Sequence, residues 1–465
     1  MKIALTVFKW IAGSVLGLII VTGLCWWLIP DQELSPEADK FIVAANVPPA
    51  AKNAYFMIWG LSASPELDPH VVGQQIVAAH DRILATEKDL AKFKPDAFYG
   101  DHSLKFPKDS KRICDLTKNE NCLTVYQAKQ SEIQAQSEEY KVFLARYREI
   151  PAYEDFGLAL SRSTHQSPQP SWNSILRLSD MVDGSIAARM KSKGTQQAAL
   201  EELASEINSW RRLLQGNDWI LTQMISITVL GRKYRLASEI MSAQPDIVAA
   251  YPALMSKITT PLSPADTNVV TSVTAEARLS VGTFLGMQEK GHFLQDSFFE
   301  GLPGAPLRAA FAAGGFRANA TLNEAFRHFD VLLLFLAKSP KEVLEGHKAL
   351  LDKLERAARL SPADVFYNPV GRIMNGIGIP NYFEYVFRVD DLIGYSRLLD
   401  LQRRIVEANA GPDKVTSLLA GAGPGLMNPY TEQPMQWDAA TKRISFALQG
   451  KRWPFLGHVT LDHLK

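Results

Sequence analysis

The sequence has few cysteines and little net charge, and each scarcity excludes a class of protein. It has three cysteines in 465 residues and a formal net charge of +1 at pH 7. Three cysteines cannot supply the disulfide framework that holds small secreted scaffolds together. A near-neutral chain also lacks the basic surface with which proteins bind a phosphate backbone, so we predict no nucleic acid partner.

Linear motifs for catalysis and nucleotide binding are absent as well. The sequence has no G-x-S-x-G elbow, no G-x-x-x-x-G-K-[ST] phosphate loop, no H-E-x-x-H motif and no S-x-x-K motif. The glycines from Gly421 to Gly425 follow a helical run and surround Pro424, whereas a dinucleotide-binding loop follows a strand and opens a helix. We therefore predict a turn there, and the sequence assigns no cofactor, no metal ligand and no catalytic residue.

One long apolar run is present, at the N-terminal end of the chain. Residues Trp10 to Ile29 carry no charge, and Lys2 and Lys9 precede them. About 20 residues form a helix of about 30 Å, which is the thickness of the hydrocarbon core of a bilayer. The run therefore predicts a single membrane-spanning helix.

The apolar run is interpreted as an uncleaved anchor, with a cleaved signal peptide as the alternative. It is longer than the core of a secretory signal, and its exit at Trp26 and Trp27 offers no pair of small residues for a peptidase. Leu24 precedes Cys25, which does not fit a lipoprotein signal. Because basic residues precede the run and acidic residues follow it, we expect a cytoplasmic N-terminus and a body outside the cytoplasm, in a bacterium the periplasm.

The remaining two cysteines, Cys114 and Cys122, predict a disulfide. Cys25 lies in the apolar run, so this pair is the even count expected of a chain in an oxidising compartment. The bond would close a short polar loop and would stabilise that loop only locally. A metal site is the rival interpretation, but the pair lacks a second ligand pair at zinc spacing.

The pattern of apolar residues predicts a mainly α protein with a small β-hairpin at its C-terminal end. We divide the chain into four segments: an anchor (1–30), a linker with a membrane-proximal helical segment and the disulfide loop (31–150), a body of antiparallel helices (151–425) and a hairpin tail (426–465). The hairpin is indicated by strict alternation from Arg443 to Gln449 after Pro434 to Trp437, with His458 to Leu461 as a third strand.

Several helices are predicted from spacings of three and four between apolar residues. A seam from Leu200 to Leu214 contains Trp210, and the segment from Asn53 to Leu61 is either a short helix or a buried extended segment. The remaining predicted helices follow the same pattern: one beginning at Asp68, then Tyr126–Ile150, Trp219–Met241, Ala265–Gln288, Thr321–Ala337, Glu342–Leu360 and Tyr382–Glu407.

A few residues could have a function, although each also has a structural explanation. His80 and His347 are interpreted as core histidines, and Asp390 with Asp391 as helix-capping acids whose rival role is a paired-carboxylate site. The segment from Asn368 to Pro380 is interpreted as a connecting loop or a ligand-binding loop. The basic cluster could touch an anionic lipid or glycan or form a solvated loop; its members are Lys105, Lys108, Lys111 and Arg112.

The segments Asn428 to Asp438 and Arg443 to Phe446 resemble the closing hairpin of uncharacterised single-pass envelope proteins of Gram-negative bacteria. Pro48 to Leu61 and the segment from Asn368 resemble parts of the same set. Gln433 stands where the set usually has a glycine before the proline of this hairpin. The resemblance implies an inner-membrane location and a single-pass topology, and it implies no activity and no catalytic residue.

Three hypotheses for the function follow. The first is a non-enzymatic envelope protein that binds or scaffolds another protein or a cell-wall component. The second is an enzyme that acts on cell-wall or lipid substrates with a site assembled from distant residues. The third is an accessory or immunity factor for a secretion system. A deep polar cleft with two carboxylates would favour the enzyme, and a broad groove lined by aromatic residues would favour the binding protein.

Overall fold

A computed structural model describes residues 2–43, 50–86, 90, 93–107, 112–115, 121–157, 160, 163–216, 219–267, 269–290, 314–378, 382–450 and 453–464. Most of these residues are helical, and the named strands lie near the C-terminal end. This arrangement confirms the mainly α class. One hydrophobic cluster contains buried residues from Ala38 to Leu464, and the boundaries between the four segments stay a prediction.

The helices of the described residues are named in chain order. They are α1 (Lys2–Leu28), α2 (Pro36–Val43), α3 (Ala54–Gly60), α4 (Pro69–Thr86), α5 (Cys122–Ala128), α6 (Gln130–Glu139), α7 (Lys141–Glu149), α8 (Trp172–Arg189), α9 (Lys193–Gln215), α10 (Ile220–Ala243), α11 (Asp246–Ala250), α12 (Pro252–Thr259), α13 (Val269–Lys290), α14 (Ala318–Leu336), α15 (Pro340–Ala358), α16 (Pro362–Tyr367), α17 (Pro369–Gly378), α18 (Tyr382–Glu407) and α19 (Pro412–Ala420). Short 3₁₀ turns lie between some of them, for example at Pro264–Thr267 and Pro424–Leu426. The second of these turns confirms the turn predicted around Pro424.

Helix α1 contains the apolar run except for its last residue, Ile29. Within the described residues it provides the one helix long and apolar enough to cross a membrane, the 19-residue segment Trp10–Leu28 with a mean hydropathy of 2.0. No residue of its most apolar stretch is buried against the rest of the protein. A membrane span has this composition, and so does a signal sequence near an N-terminus.

Helix α10 lies at the centre of the body. It packs against α8, α9, α13 and α18 and is buried along most of its length. The predicted seam of α9 faces it, and Leu200, Leu214 and Trp210 are all buried there. A helix packed against several neighbours buries many of its polar side chains too, so the buried charged residues of α10 need partners inside the protein.

The segment that periodicity left ambiguous, Asn53 to Leu61, forms helix α3. The side chain of Asn53 accepts a hydrogen bond from the backbone N–H of Tyr55 and so caps the helix, and every residue of α3 is buried. Helix α3 packs against α4 at very short range, because a Cβ atom on Gly73 would lie 1.8 Å from the carbonyl oxygen of Phe56. Glycine is therefore required where the two helices meet.

The prediction of one continuous helix from Tyr126 to Ile150 is wrong. The chain turns near Lys129 and again near Tyr140, which produces α5, α6 and α7. All three helices pack against α8. Their apolar residues do not share one face of a straight helix, and the two turns bring residues from each piece against the same neighbour.

The prediction of a loop from Asn368 to Pro380 is also wrong, since Pro369–Gly378 is helix α17 and the last two residues lie outside the described part of the chain. Asn368 accepts a hydrogen bond from the backbone N–H of Gly371 (3.2 Å). A Cβ atom on Gly371 would lie 1.9 Å from the hydroxyl oxygen of Thr321 on α14. Gly371 allows α17 to approach α14 closely. Because glycine is also common in loops, the composition of this segment led to the wrong prediction of a loop.

The C-terminal strands β1 (Gln436–Asp438), β2 (Arg443–Ser445) and β3 (His458–Thr460) form one antiparallel sheet in the order β1-β2-β3. Ile444 pairs with Trp437 on one side and with Val459 on the other. These pairings confirm the predicted hairpin and its third strand. Phe446 packs onto Gly394, where a Cβ atom would lie 2.3 Å from the ring, so the sheet lies directly against α18.

Candidate functional site

A cleft of about 580 Å³ opens beside α10. Its floor is apolar and its walls carry two arginines, two carboxyl groups and three aromatic rings, a mixture typical of ligand sites. Its lining comes from four helices and two loop segments: Leu176 on α8, Ile220, Leu221, Met224, Ile225 and Thr228 on α10, Glu276 on α13, Tyr382, Tyr385 and Arg388 on α18, and Arg112, Asp115 and Trp453.

Arg388 stands between two aromatic rings in this cleft. Its guanidinium carbon is 5.2 Å from the ring centroid of Tyr385 and 5.7 Å from that of Trp453. Glu384 on the same helix is its ion-pair partner, with 3.6 Å between Nη2 and Oε2. The Nε of Arg388 is buried and has no hydrogen-bond partner among the described residues. A guanidinium held on aromatic faces with spare donors suits a carboxylate or a phosphate.

Glu276 supplies a carboxyl group to the same cleft. It accepts a hydrogen bond from the backbone N–H of Ile220 (2.9 Å), the first residue of α10. Burial raises the pKa of Glu276 above its ordinary value. Burial also raises the pKa of Tyr382, and the charge of Glu276 raises it further. Around Glu276 the cleft therefore favours protonated groups.

Arg112 and Asp115 reach the cleft from a loop that is tied to α8. Asp180 on α8 accepts a hydrogen bond from the backbone N–H of Ile113 (2.5 Å). The pKa of Arg112 is lowered, first by burial and then by repulsion from Arg232. Arg112 is half-buried, and a partly buried guanidinium beside another positive charge gains more from an anionic ligand than a fully exposed one does.

The disulfide predicted from the sequence lies in this loop. The sulfur atoms of Cys114 and Cys122 are at bonding distance, and the Cα atoms are 5.6 Å apart. The carboxylate of Glu239 on α10 accepts hydrogen bonds from the backbone N–H groups of Cys122 (3.2 Å) and Leu123 (2.8 Å). The disulfide thus connects the Arg112 segment to the start of α5, which is itself held to the central helix.

A buried network of charges lies behind the cleft, between α8, α9 and α10. Asp183 accepts hydrogen bonds from Lys233 (2.6 Å) and Arg232 (3.4 Å), and Glu206 lies 3.2 Å from the Lys233 ammonium. Arg232 also pairs with Asp180. Each of these five side chains is at most 3% exposed.

Two tyrosines complete the network. Tyr126 donates its hydroxyl to Asp180 (2.6 Å), and Tyr147 donates its hydroxyl to Glu206 (2.8 Å). Trp210, the aromatic residue of the α9 seam, donates to the Tyr147 oxygen (3.1 Å). Each carboxylate therefore accepts at least two hydrogen bonds or ion pairs, which is what allows charged groups to be buried.

The interpretation of Asp390 and Asp391 as capping acids is wrong, because both lie in the middle of α18 and are buried. Asp391 accepts hydrogen bonds from the hydroxyl of Tyr430 (2.7 Å) and from the backbone N–H groups of Gln449 (3.1 Å) and Gly450 (2.8 Å). Burial raises the pKa of Asp390 to about 8 and that of Asp391 to about 6. Neither residue lines the cleft, and Asp391 joins α18 to the hairpin tail.

Of the two histidines predicted to be core residues, His80 is buried and His347 is half-buried. His80 is 1% exposed and its Nε2 lies 2.9 Å from the hydroxyl oxygen of Ser167. His347 hydrogen-bonds the carbonyl of Leu344 (2.7 Å) and packs against Phe383. Within the described residues, no group of three or more His, Cys, Asp or Glu side chains is placed to hold a metal ion.

The basic cluster is divided by the structure. Lys108 and Lys111 lie outside the described residues, Lys105 is exposed and Arg112 lines the cleft. A larger depression of about 760 Å³ lies elsewhere, beside α3 and α7, and one of the four acids that line it, Asp155, is already bound to the side chain of Asn53 (3.1 Å). The cleft is the better candidate because it combines spare arginine donors with an apolar floor.

Most residues of the cleft were not singled out from the sequence. The spacing of three between Tyr382, Tyr385 and Arg388 places them on one side of α18 and is the signal that could have been used. Glu276 and Trp453 carry no such signal, since they come from distant segments. Comparisons of the chain with protein-family models, with curated proteins and with solved structures found no match.

Proposed function

We propose that the protein is a membrane-anchored binding protein of the cell envelope, and that its cleft binds a cell-wall component with an anionic group beside a sugar ring. The observation that carries this proposal is Arg388 held between Tyr385 and Trp453. Arginine offers paired donors to a carboxylate, and aromatic faces pack well against the flat apolar face of a sugar. The apolar floor at Ile220 and Met224 would take acyl or methyl groups of the ligand.

Two further features support the envelope location. Helix α1 has the length and apolar composition of a membrane span. The pairing of Cys114 with Cys122 fits a compartment outside the cytoplasm, because disulfides persist where the environment is oxidising. In this proposal α1 lies in the inner membrane with the N-terminus in the cytoplasm, and the body lies in the periplasm.

A binding measurement tests the role of the cleft. Full-length protein in lipid nanodiscs is titrated calorimetrically with muramyl dipeptide, a cell-wall fragment with a sugar ring and a carboxylate. Loss of a charge-assisted hydrogen bond costs about 1.5–3 kcal/mol, so Arg388→Gln should raise the Kd about tenfold or more. Arg356→Gln, a change at an exposed arginine of α15, is the matched control and should leave the Kd unchanged. Equal affinity of the Arg388→Gln variant and the wild type would refute the assignment.

Reporter fusions test the topology. Alkaline phosphatase fused after Lys465 should be active, and a reporter that works only in the cytoplasm should be inactive at the same position. The mass of the purified protein shows whether α1 is retained. Activity of the cytoplasmic reporter alone would contradict the periplasmic location, and loss of about 30 N-terminal residues would identify α1 as a signal peptide.

An enzyme is the second candidate, and Glu276 is the observation that favours it. A buried carboxyl with a raised pKa can act as a general acid, and Asp115 supplies a second carboxylate to the same cleft. A glycan hydrolase would release reducing ends from peptidoglycan, and Glu276→Gln would abolish that release. Binding of muramyl dipeptide without any release of reducing ends supports the binding protein instead.

A further inference from the structure

The end of α1 is bound firmly to the body. The indole N–H of Trp26 donates to the carbonyl of Val365 in α16 (3.0 Å). Arg317 donates to the carbonyl oxygens of Trp26 and Ile29, the latter at 2.8 Å. The Trp26 bond fixes α16 at the level of the last turn of α1, and the Arg317 bonds hold the start of α14 beside it.

The chain just after α1 is bound to the body as well. The carboxylate of Asp31 accepts hydrogen bonds from the backbone N–H groups of Asn319 (2.9 Å) and Ala320 (3.1 Å), in the first turn of α14. A carboxylate at a helix N-terminus is a favourable cap. Residue 31 therefore belongs to the body, and a flexible tether between α1 and α14 is excluded.

These bonds determine which face of the body lies next to the membrane. Trp26 and Trp27 are near the end of the 19-residue apolar segment, where indole rings occupy the bilayer interface. Because the Trp26 indole contacts the backbone of Val365, α16 must lie at the same depth when α1 spans the membrane. Tyr367 of α16 also reaches the carbonyl of Pro30 with its hydroxyl (3.4 Å).

The side chains exposed on this face suit a lipid surface. Leu360 is 47% exposed, Val365 is 36% exposed, and Trp27 near the end of α1 is 80% exposed. Arg356 and Arg359, in the turn before Leu360, are exposed too. Apolar side chains flanked by arginines are typical of segments that lie in the headgroup layer.

We propose that Leu360–Tyr367, which comprises α16 and the turn before it, forms a second membrane contact in the leaflet where α1 emerges. Leu360 and Val365 insert between lipid chains, and Arg359 lies among the phosphate groups. This inference rests on the proposed function, since it requires α1 to be retained and to span the bilayer. Its consequence is that the body is held in one orientation on the membrane.

Fluorescence quenching by lipids tests this contact. The full-length protein is reconstituted in vesicles of phosphatidylethanolamine and phosphatidylglycerol, with or without lipids that carry a nitroxide near the headgroup. Leu360→Cys and Val365→Cys, each in a Cys25→Ala background with the disulfide oxidised, are labelled with an environment-sensitive fluorophore. The nitroxide should lower their fluorescence about twofold. The matched control is Val71→Cys on α4, which is 45% exposed and should not be quenched.

A separate label distinguishes this inference from the anchor on which it rests. Cys25 lies inside the apolar segment and is the free cysteine of the described residues, so the labelled wild-type protein reports on the span itself. Quenching at Cys25 with no more quenching at 360 and 365 than at 71 would overturn the second contact while the anchor stands. The same pattern with a blue-shifted label would assign this face to a protein partner or a second copy. A protein that does not float with the vesicles would overturn both proposals.

Discussion

The buried network behind the cleft and the cleft itself are built from the same residue types, and they differ in how many partners each charge has. Arg232 is 1% exposed and pairs with two carboxylates. Arg388 is 16% exposed, and its one ion-pair carboxylate among the described residues, that of Glu384, is 3.6 Å away. The charges of the network hold the fold together, whereas the cleft retains hydrogen-bonding capacity for a ligand.

Replacement of Arg232 should have the largest effect, because it breaks the network. Arg232→Met leaves Asp180 and Asp183 buried with fewer partners, and the loss of one member of a buried ion pair costs about 3–5 kcal/mol. Denaturant unfolding measures this change in the free energy of unfolding. Lys341→Met is the control at an exposed pair with Glu432, where at most about 1 kcal/mol is expected. Equal losses in the two variants would show that the network does not stabilise the fold.

Removal of the disulfide should have the next largest effect. Changing Cys114 and Cys122 together to Ser should cost roughly 2 to 3 kcal/mol, because the closed loop is short. Since the bond also holds the Arg112 segment, we expect weaker binding of muramyl dipeptide by the double variant. Cys25→Ser is the control and should change neither property. A double variant with full stability and full binding would show that the loop is held without the bond.

The pH dependence of stability should reveal Asp390. Burial raises its pKa from 3.8 to about 8 in the folded protein, so folding favours the protonated form. The resulting stability is fully present below about pH 4, the ordinary pKa, and is lost as the pH rises through about 8. Asp390→Asn should therefore raise the Tm relative to the wild type by an amount that grows from pH 5 to pH 9. The exposed Asp352→Asn is the control, and parallel Tm curves for wild type and Asp390→Asn would disprove the assignment.

Replacement of Arg388 should have the smallest effect on stability. Arg388→Gln removes two cation–π contacts and a charge with a distant ion-pair partner, so the free energy of unfolding should fall by about 1 kcal/mol. The same variant should lose affinity for muramyl dipeptide, as argued above. A large loss of stability would place Arg388 with the network and would remove the contrast between the two regions.

The sequence was informative where one local pattern decides the outcome. The apolar run, the α9 seam with Trp210 and the alternation from Arg443 each depend on the period of the apolar residues along a single segment. The period of the apolar residues predicts the type of each element because each helix or strand buries one face. The pairing of Cys114 with Cys122 could likewise be predicted, since the two residues are close in the chain.

Predictions from the sequence were wrong where contacts with other elements determine the structure of a segment. The residues from Tyr126 to Ile150 form three helices because each piece packs on α8, and α17 is a helix although its glycines resemble a loop. Asp390 and Asp391 are of a residue type that often caps helices, but both lie inside α18, and the hydrogen-bond donors of Asp391 come from a distant part of the chain. In each case a tertiary contact outweighs the local preference.

The sequence by itself determined the mainly α class, the apolar N-terminal helix and the C-terminal hairpin, because these depend on short-range periodicity. Only the tertiary structure decided the cleft and the face next to α1. Arg112, Glu276, Arg388 and Trp453 come from separate segments of the chain, and no pattern in one dimension brings them together. The exposed side chains of Leu360 and Val365 indicate a membrane contact only because the hydrogen bond from Trp26 to Val365 places this segment beside the end of α1.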